Sequence, residues 1–198
     1  MNTSDLANDF LLQQGRIYLP RDFDSPLCET IDAYISYYRQ NHATEPIKLF
    51  CRTDGGDAEE GLAIANVVKL DGNIHGYLIG MTMNAGATVW SACSKRYVYP
   101  NSRIGIHPCT WKLDGMRLTA AKMKSMWQDF LGIDEASCQF YADASNKDFA
   151  WWWKFYNEPG DIKWLNATEL VAMEMAELIL PQSKGGNDDN DNSPYPAS

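Results

Sequence analysis

The sequence predicts an α/β fold with a largely parallel sheet, and three observations carry that expectation. Over the first 110 residues, short β-like runs alternate with stretches of helical periodicity. Two of those β-like runs end in glycine-flanked turns that lead straight into helices, at TDGGD (53–57) and at GMTMNAGA (80–87). The apolar fraction is 45%, with seven tryptophans in 198 residues, enough for one domain with a sizeable core.

Taken in order, RIYLP (16–20) is a short strand ending at a proline. DSPLCETIDAYISYYRQ (24–40) follows as a helix, with Asp24 and Ser25 as cap candidates and Pro26 near the first helical position. Leu27, Ile31, Tyr34, Ile35 and Tyr38 recur at helical spacing and mark its buried face. IKLFC (47–51) is a strand, and the turn after it opens a helix in which Asp57 and Glu60 form a capping box. NIHGYLIG (73–80) is the next strand, followed by a short helix beginning near Asn84. RYVYP and SRIGIHP are two more strands, joined by a turn at Pro100 and Asn101.

Beyond residue 110 the character changes. A long helix is expected from Arg117 to about Asn146, with Leu118, Met126, Phe130, Ile133, Phe140 and Ala144 on one stripe. FAWWWKFY (149–156) is too aromatic for an isolated surface helix and either packs on the core or meets another subunit. GDIKWLNATELVAMEMAELI (160–179) reads as a turn and a final helix capped by Asn166. From Ser183 the chain becomes SKGGNDDNDNSPYPAS, a disordered acidic tail that lacks the apolar content to offset the entropy of ordering.

Composition excludes several classes. The net charge is −9 with no basic stripe, so nucleic acid is not an expected partner. Five scattered cysteines show neither a CxxC pair nor zinc-ligand spacing, so no metal, cofactor or disulfide framework is expected, and a reducing compartment, the cytoplasm, is. The polar amino terminus is unlike a signal peptide, and no apolar run approaches the ~18 residues of a membrane span.

Three features bear on a site. Gly55 and Gly56 allow a tight turn whose N–H groups can face a ligand, such as the oxyanion of a tetrahedral intermediate; an ordinary strand-to-helix turn has the same spacing. The bend at Asn84 sits where many hydrolases carry a nucleophilic serine. His107 ends a strand just before a proline, a place that suits either a structural role or a general base, whereas His42 and His75 have no such context.

Together, TDGGDAEEGLAIA, GMTMNAGA and RYVYPNSRIGIHP occur in the order and at nearly the spacing of the Clp protease proteolytic subunit family, which this chain resembles. The likeness runs from RIYLPRDFD to WLNATE, roughly residues 10 to 180, and PNSRIGIHP is its most specific piece. A crotonase-like enzyme shares the fold but not this run. The resemblance implies a ClpP/crotonase-like strand-helix superhelix over residues 1–182, with a protruding handle helix in a region at about 112–160, ahead of the tail at 183–198. It implies a heptameric ring, homo- or hetero-oligomeric, which can stack through the handles as a tetradecamer. An AAA+ unfoldase would feed it, and the substrate would be a peptide or an unfolded protein.

Carried over by position, the resemblance makes His107 the general base and places the oxyanion-hole donors on the N–H groups of Gly56 and Ala85. The nucleophile position is Asn84. The family's aspartate falls two residues before an aromatic, here Trp164, which selects Ile162; Asp161, one residue upstream, serves if the loop shifts by one. Asp54 stands where the family has a proline. An amide is a poor nucleophile, because its nitrogen lone pair is delocalised and its proton is far too weakly acidic for imidazole to remove. Asparagine nevertheless suits a helix N-cap and tolerates unusual backbone angles. The expectation is therefore a catalytically inactive ring subunit with a structural, regulatory or peptide-binding role. The alternative is an active serine-type endopeptidase using a shifted loop or another nucleophile, for which Thr82, Thr88, Ser91 and Cys109 are the candidates. A crotonase-type acyl-thioester enzyme, which needs only the oxyanion hole, is a third reading.

Overall fold

The computed structural model describes residues 10–110 and 115–180. The polar amino terminus, the first residues of the handle region (111–114) and the acidic tail lie outside the described residues. The main sheet has β1 (Arg16–Tyr18), β3 (Ile47–Thr53), β5 (Ile74–Met83), β6 (Lys95–Val98) and β9 (Glu177–Leu178) side by side, all parallel. The ten-residue β5 serves two neighbours: His75 to Leu78 pair with β6, and Met81 to Met83 pair with β7 (Arg103–Ile106). Antiparallel to β7 runs β8 (Lys163–Asn166). Two short strands, β2 (Asp22–Phe23) and β4 (Gly55–Gly56), form a separate parallel pair. The expected mixed α/β architecture with a mainly parallel sheet is therefore present.

Alternation along the strands builds two different faces. Ile47, Leu49 and Cys51 of β3, with Ile74 and Leu78 of β5, belong to the main core with the helices. On the opposite face the register aligns Tyr18, Phe50, Tyr77 and Tyr97 across four strands. Successive ring centroids stand 4.5, 5.2 and 4.9 Å apart.

Among the described residues, after a helical turn at 10–13, the helices are α1 (Leu27–Asn41), α2 (Ala58–Asp71), α3 (Ala85–Ser91), α4 (Ala120–Asp143), α5 (Phe149–Asn157) and α6 (Ala167–Ala172). In α1, Ile31, Ile35 and Tyr38 are buried as the spacing predicts, but Tyr34 is exposed. Neither Asp24 nor Ser25 caps this helix. Pro26 occupies the N-cap itself, so no side-chain oxygen is available there. Asp57 does cap α2, accepting from the N–H groups of Glu59 and Glu60. The box is not reciprocal, because the Glu60 carboxylate accepts instead from the Cys28 N–H (2.9 Å) and so ties α2 to α1.

The long helix starts at Ala120, where the Thr119 hydroxyl accepts from the Lys122 N–H. Most of its first turns are exposed, Met123 and Trp127 included, with Met126 buried among them, whereas its later turns present a buried face of Asp134, Ser137, Cys138, Phe140 and Tyr141. The aromatic segment packs on the core. Trp152 and Tyr156 of α5 are fully buried, and the Trp152 Nε1–H donates to Ser145 Oγ (2.8 Å). The last segment departs from expectation: it is strand, six-residue helix, then strand again. Asn166 does cap α6, with Glu169 completing a true capping box. None of the described helices is long and apolar enough to cross a membrane.

One ion pair ties α1 to α2. The Arg39 guanidinium grips both Asp71 carboxylate oxygens, at 2.6 and 2.7 Å. Burial alone would raise the Asp71 carboxyl, but hydrogen bonds from Arg39 and the Asn73 N–H outweigh it and hold the group below its ordinary value. A depressed folded-state value stabilises the fold above the unfolded carboxylate range and loses that contribution as pH falls. Asp71→Asn is therefore expected to lower stability at neutral pH by about 1–2 kcal/mol. In urea melts the gap to the unmodified protein should close as pH drops below about 4.

Candidate active site

The site forms where β5, β7 and β8 meet the start of α3. At Asn84 the chain turns from β5 into α3 with φ 38° and ψ −101°. Non-glycine residues rarely adopt this backbone, which lies outside even the left-handed basin and stores about 1–3 kcal/mol. The surroundings enforce it. The Asn84 N–H donates to the Gly105 carbonyl (2.8 Å), and the Asn84 carbonyl accepts from the Thr88 N–H (2.9 Å). The hydroxyls of Thr88 and Tyr141 also reach that carbonyl, at 3.3 and 3.4 Å.

Close packing leaves this elbow little freedom. A Cβ on Gly61 of α2 would lie 2.6 Å from the Ala85 Cβ, and one on Gly55 would lie 2.9 Å from the Met83 carbonyl. The glycine turn thus abuts the elbow, as the sequence order implies. Asn84 occupies the N-cap position, but its carboxamide makes no capping hydrogen bond. Capping needs an extended backbone at that residue, and this one is not extended.

His107 follows β7 directly. Its Nδ1–H donates to the Pro108 carbonyl (2.8 Å), which leaves Nε2 as the unprotonated nitrogen of the neutral ring. The antiparallel register of β7 and β8 pairs Gly105 with Trp164 and Ile106 with Lys163. Continued by one residue, that register sets Ile162 opposite His107. The Ile162 side chain packs over Gly105, within 2.9 Å of where a Cβ would stand. Asp161 is exposed one residue further along. Among the described residues no hydrogen bond or ion pair joins Asp161 to His107. Asp54 is engaged by Arg21 (2.6 Å) rather than left open to the turn.

The long helix supplies two groups that pattern reading missed. Asp134 is buried, and its Oδ1 accepts from the Cys109 N–H (3.0 Å) and the Tyr156 hydroxyl (3.1 Å). It fixes the segment that follows His107. Tyr141, two turns on, donates to the Asn84 carbonyl and contacts the Thr88 hydroxyl (3.0 Å). Asp134 is an acidic residue on the buried stripe of α4, and that mismatch was the available signal. Asp134→Ala leaves both donors without this acceptor and is expected to cost about 2–4 kcal/mol in a denaturant melt. Asp134→Asn keeps an oxygen acceptor and should recover most of that loss.

The other nucleophile candidates are placed as follows. Thr82 and Thr88 are buried, the latter engaged with Tyr141; Ser91 is buried and donates to the Ala87 carbonyl (2.8 Å). Burial, then the neighbouring Asp134 carboxylate, pushes the Cys109 thiol well above its ordinary value. None of these presents the exposed, activated oxygen or sulfur that nucleophilic catalysis requires.

Comparison with known proteins identifies the family. The Clp protease family profile matches residues 2–181. The chain is 24% identical over 183 residues to the ATP-dependent Clp protease proteolytic subunit 2 of Chlamydia muridarum, covering 91% of this chain and 87% of that protein. Over 188 residues it is 22% identical to the corresponding subunit 2 of Corynebacterium diphtheriae, covering 93% and 92%. A shorter match, 31% over 100 residues, joins it to proteolytic subunit 1 of Chlamydia felis, about half of each chain.

Proposed function

Because this chain belongs to the Clp protease family, we propose that it is a proteolytic-subunit-like ring component that has lost serine peptidase chemistry. One observation supports the reading: the chain forms a strained strand-to-helix elbow, and the residue held there is Asn84, which has no hydroxyl to activate. A backbone costing about 1–3 kcal/mol is maintained around a side chain that cannot attack a carbonyl. The role is structural, regulatory or peptide-binding, in a homomeric or mixed heptameric ring that can stack through α4 and receive substrate from an AAA+ unfoldase. The exposed apolar residues Met123 and Trp127 of α4 support its use as the handle. The N–H groups of Gly56 and Ala85 line the peptide site as the former oxyanion hole. Five unpaired cysteines suit the cytoplasm. Native mass spectrometry, alone and with an active subunit, tests the assembly: rings are expected, and monomer under both conditions would sink it.

A second reading, an active endopeptidase with another nucleophile or a shifted loop, draws on His107. Its ring is set in the tautomer a general base needs, and Asp161 would orient it after a one-residue shift. The burial of Thr82, Thr88 and Ser91 argues against it. Labelling by a serine-directed fluorophosphonate would revive this reading, and a silent probe leaves it without a nucleophile.

A further inference from the structure

Two asparagine–alanine pairs open helices in this chain, Asn84–Ala85 and Asn166–Ala167, and their geometries differ sharply. Asn166 is extended (φ −83°, ψ 173°), with its carboxamide oxygen accepting from the Glu169 N–H at 3.1 Å. Asn84 has ψ −101° and no capping bond. This angle governs a reaction of asparagine with its own backbone. Seen along the Cα–C bond, Cβ stands about 120° from the residue's own nitrogen. A ψ of about −120° therefore eclipses the next residue's nitrogen with Cβ, the arrangement from which that nitrogen can close a five-membered ring on Cγ. Asn84 is within about 20° of that eclipse, and Asn166 is about 70° away. The fold already supplies the uncommon torsion that an ordinary asparagine would have to reach.

We propose that Asn84 is a self-modifying residue, converted by attack of the Ala85 nitrogen on its side-chain carbonyl carbon. The bond between Ala85 N and Asn84 Cγ forms as the bond between Cγ and Nδ2 breaks. The Ala85 amide proton passes to the departing nitrogen, which leaves as ammonia, and a cyclic imide remains. Water then opens either imide carbonyl to give aspartate or isoaspartate at position 84. Asn84 is half-buried, so the imide lies within reach of water. Either product carries an anionic carboxylate in place of the neutral carboxamide, and isoaspartate also inserts a methylene into the backbone of the elbow.

The test ages the full-length protein at neutral pH and physiological temperature, folded in buffer and unfolded in urea. Peptide mapping then follows the mass gain of about one dalton at each asparagine, and an isoaspartate-specific methyltransferase reads the rearranged product. In the folded protein, conversion at Asn84 is expected to outpace Asn166 by roughly tenfold or more. It should also run faster than at Asn84 in the unfolded chain, and isoaspartate should be among the products. Equal rates at Asn84 and Asn166 in the folded protein, or a slower folded than unfolded rate at Asn84, would overturn the proposal.

Discussion

Trp152→Ala is expected to lower stability by about 3–5 kcal/mol, the scale for removing a fully buried indole from a packed core. The ring has no solvent exposure, lies 5.1 Å from the Tyr141 ring, and meets Trp151 and Phe155 edge to face at 5.1 and 5.7 Å. Its removal opens a cavity and takes away the donor to Ser145. In a chain of this size the change amounts to a fall in melting temperature of roughly 10 °C. Trp151 is partly exposed, and Trp151→Ala is expected to cost distinctly less in the same thermal or urea melt. The effect extends to the site, because Trp152 walls in the Tyr141 side chain whose hydroxyl holds the Asn84 carbonyl.

The largest effect on activity is expected from Ile162→Asp added to Asn84→Ser. In the extended β7–β8 register, position 162 faces His107. A carboxylate there could take the Nδ1–H now donated to the Pro108 carbonyl and stabilise the imidazolium formed during attack. Losing the aspartate from a serine-protease triad costs on the order of 10⁴ in kcat, so the double variant should exceed Asn84→Ser by up to about that factor on a short peptide. Asp161→Asn in the Asn84→Ser background separates the two acid positions. Little change is expected from it, and a loss comparable to that of removing His107 would assign the role to Asp161 instead.

The sequence exposed the fold wherever local pattern and tertiary structure agreed. The glycine turns, the alternation of strands and helices, and the caps at Asp57 and Asn166 all follow from residues close in sequence. What was missed depends on distant partners. β8 and β9 are four and two residues long and sit in a segment with helical composition, so only their pairing with β7 and β6 makes them strands. Glu60 left its expected box because the Cys28 N–H, 32 residues away, competes for it. At the site, His107, the glycine turn and the elbow were legible as motifs. Asp134 and Tyr141 were not, since their partners lie on other elements. Nor could periodicity show that Asn84 sits at the N-cap without capping, because that depends on a backbone angle imposed by its neighbours.

The most direct test of the account is hydrolysis of a short fluorogenic peptide by the unmodified protein and by Asn84→Ser, side by side. A short peptide needs no unfoldase and reports on the elbow, His107 and their immediate surroundings. No turnover is expected from the unmodified chain and a gain of roughly 10² from the variant, the share of triad catalysis that serine and histidine recover without the aspartate. Turnover by the unmodified chain that disappears in His107→Ala would contradict it, showing that a nucleophile other than residue 84 works in this site.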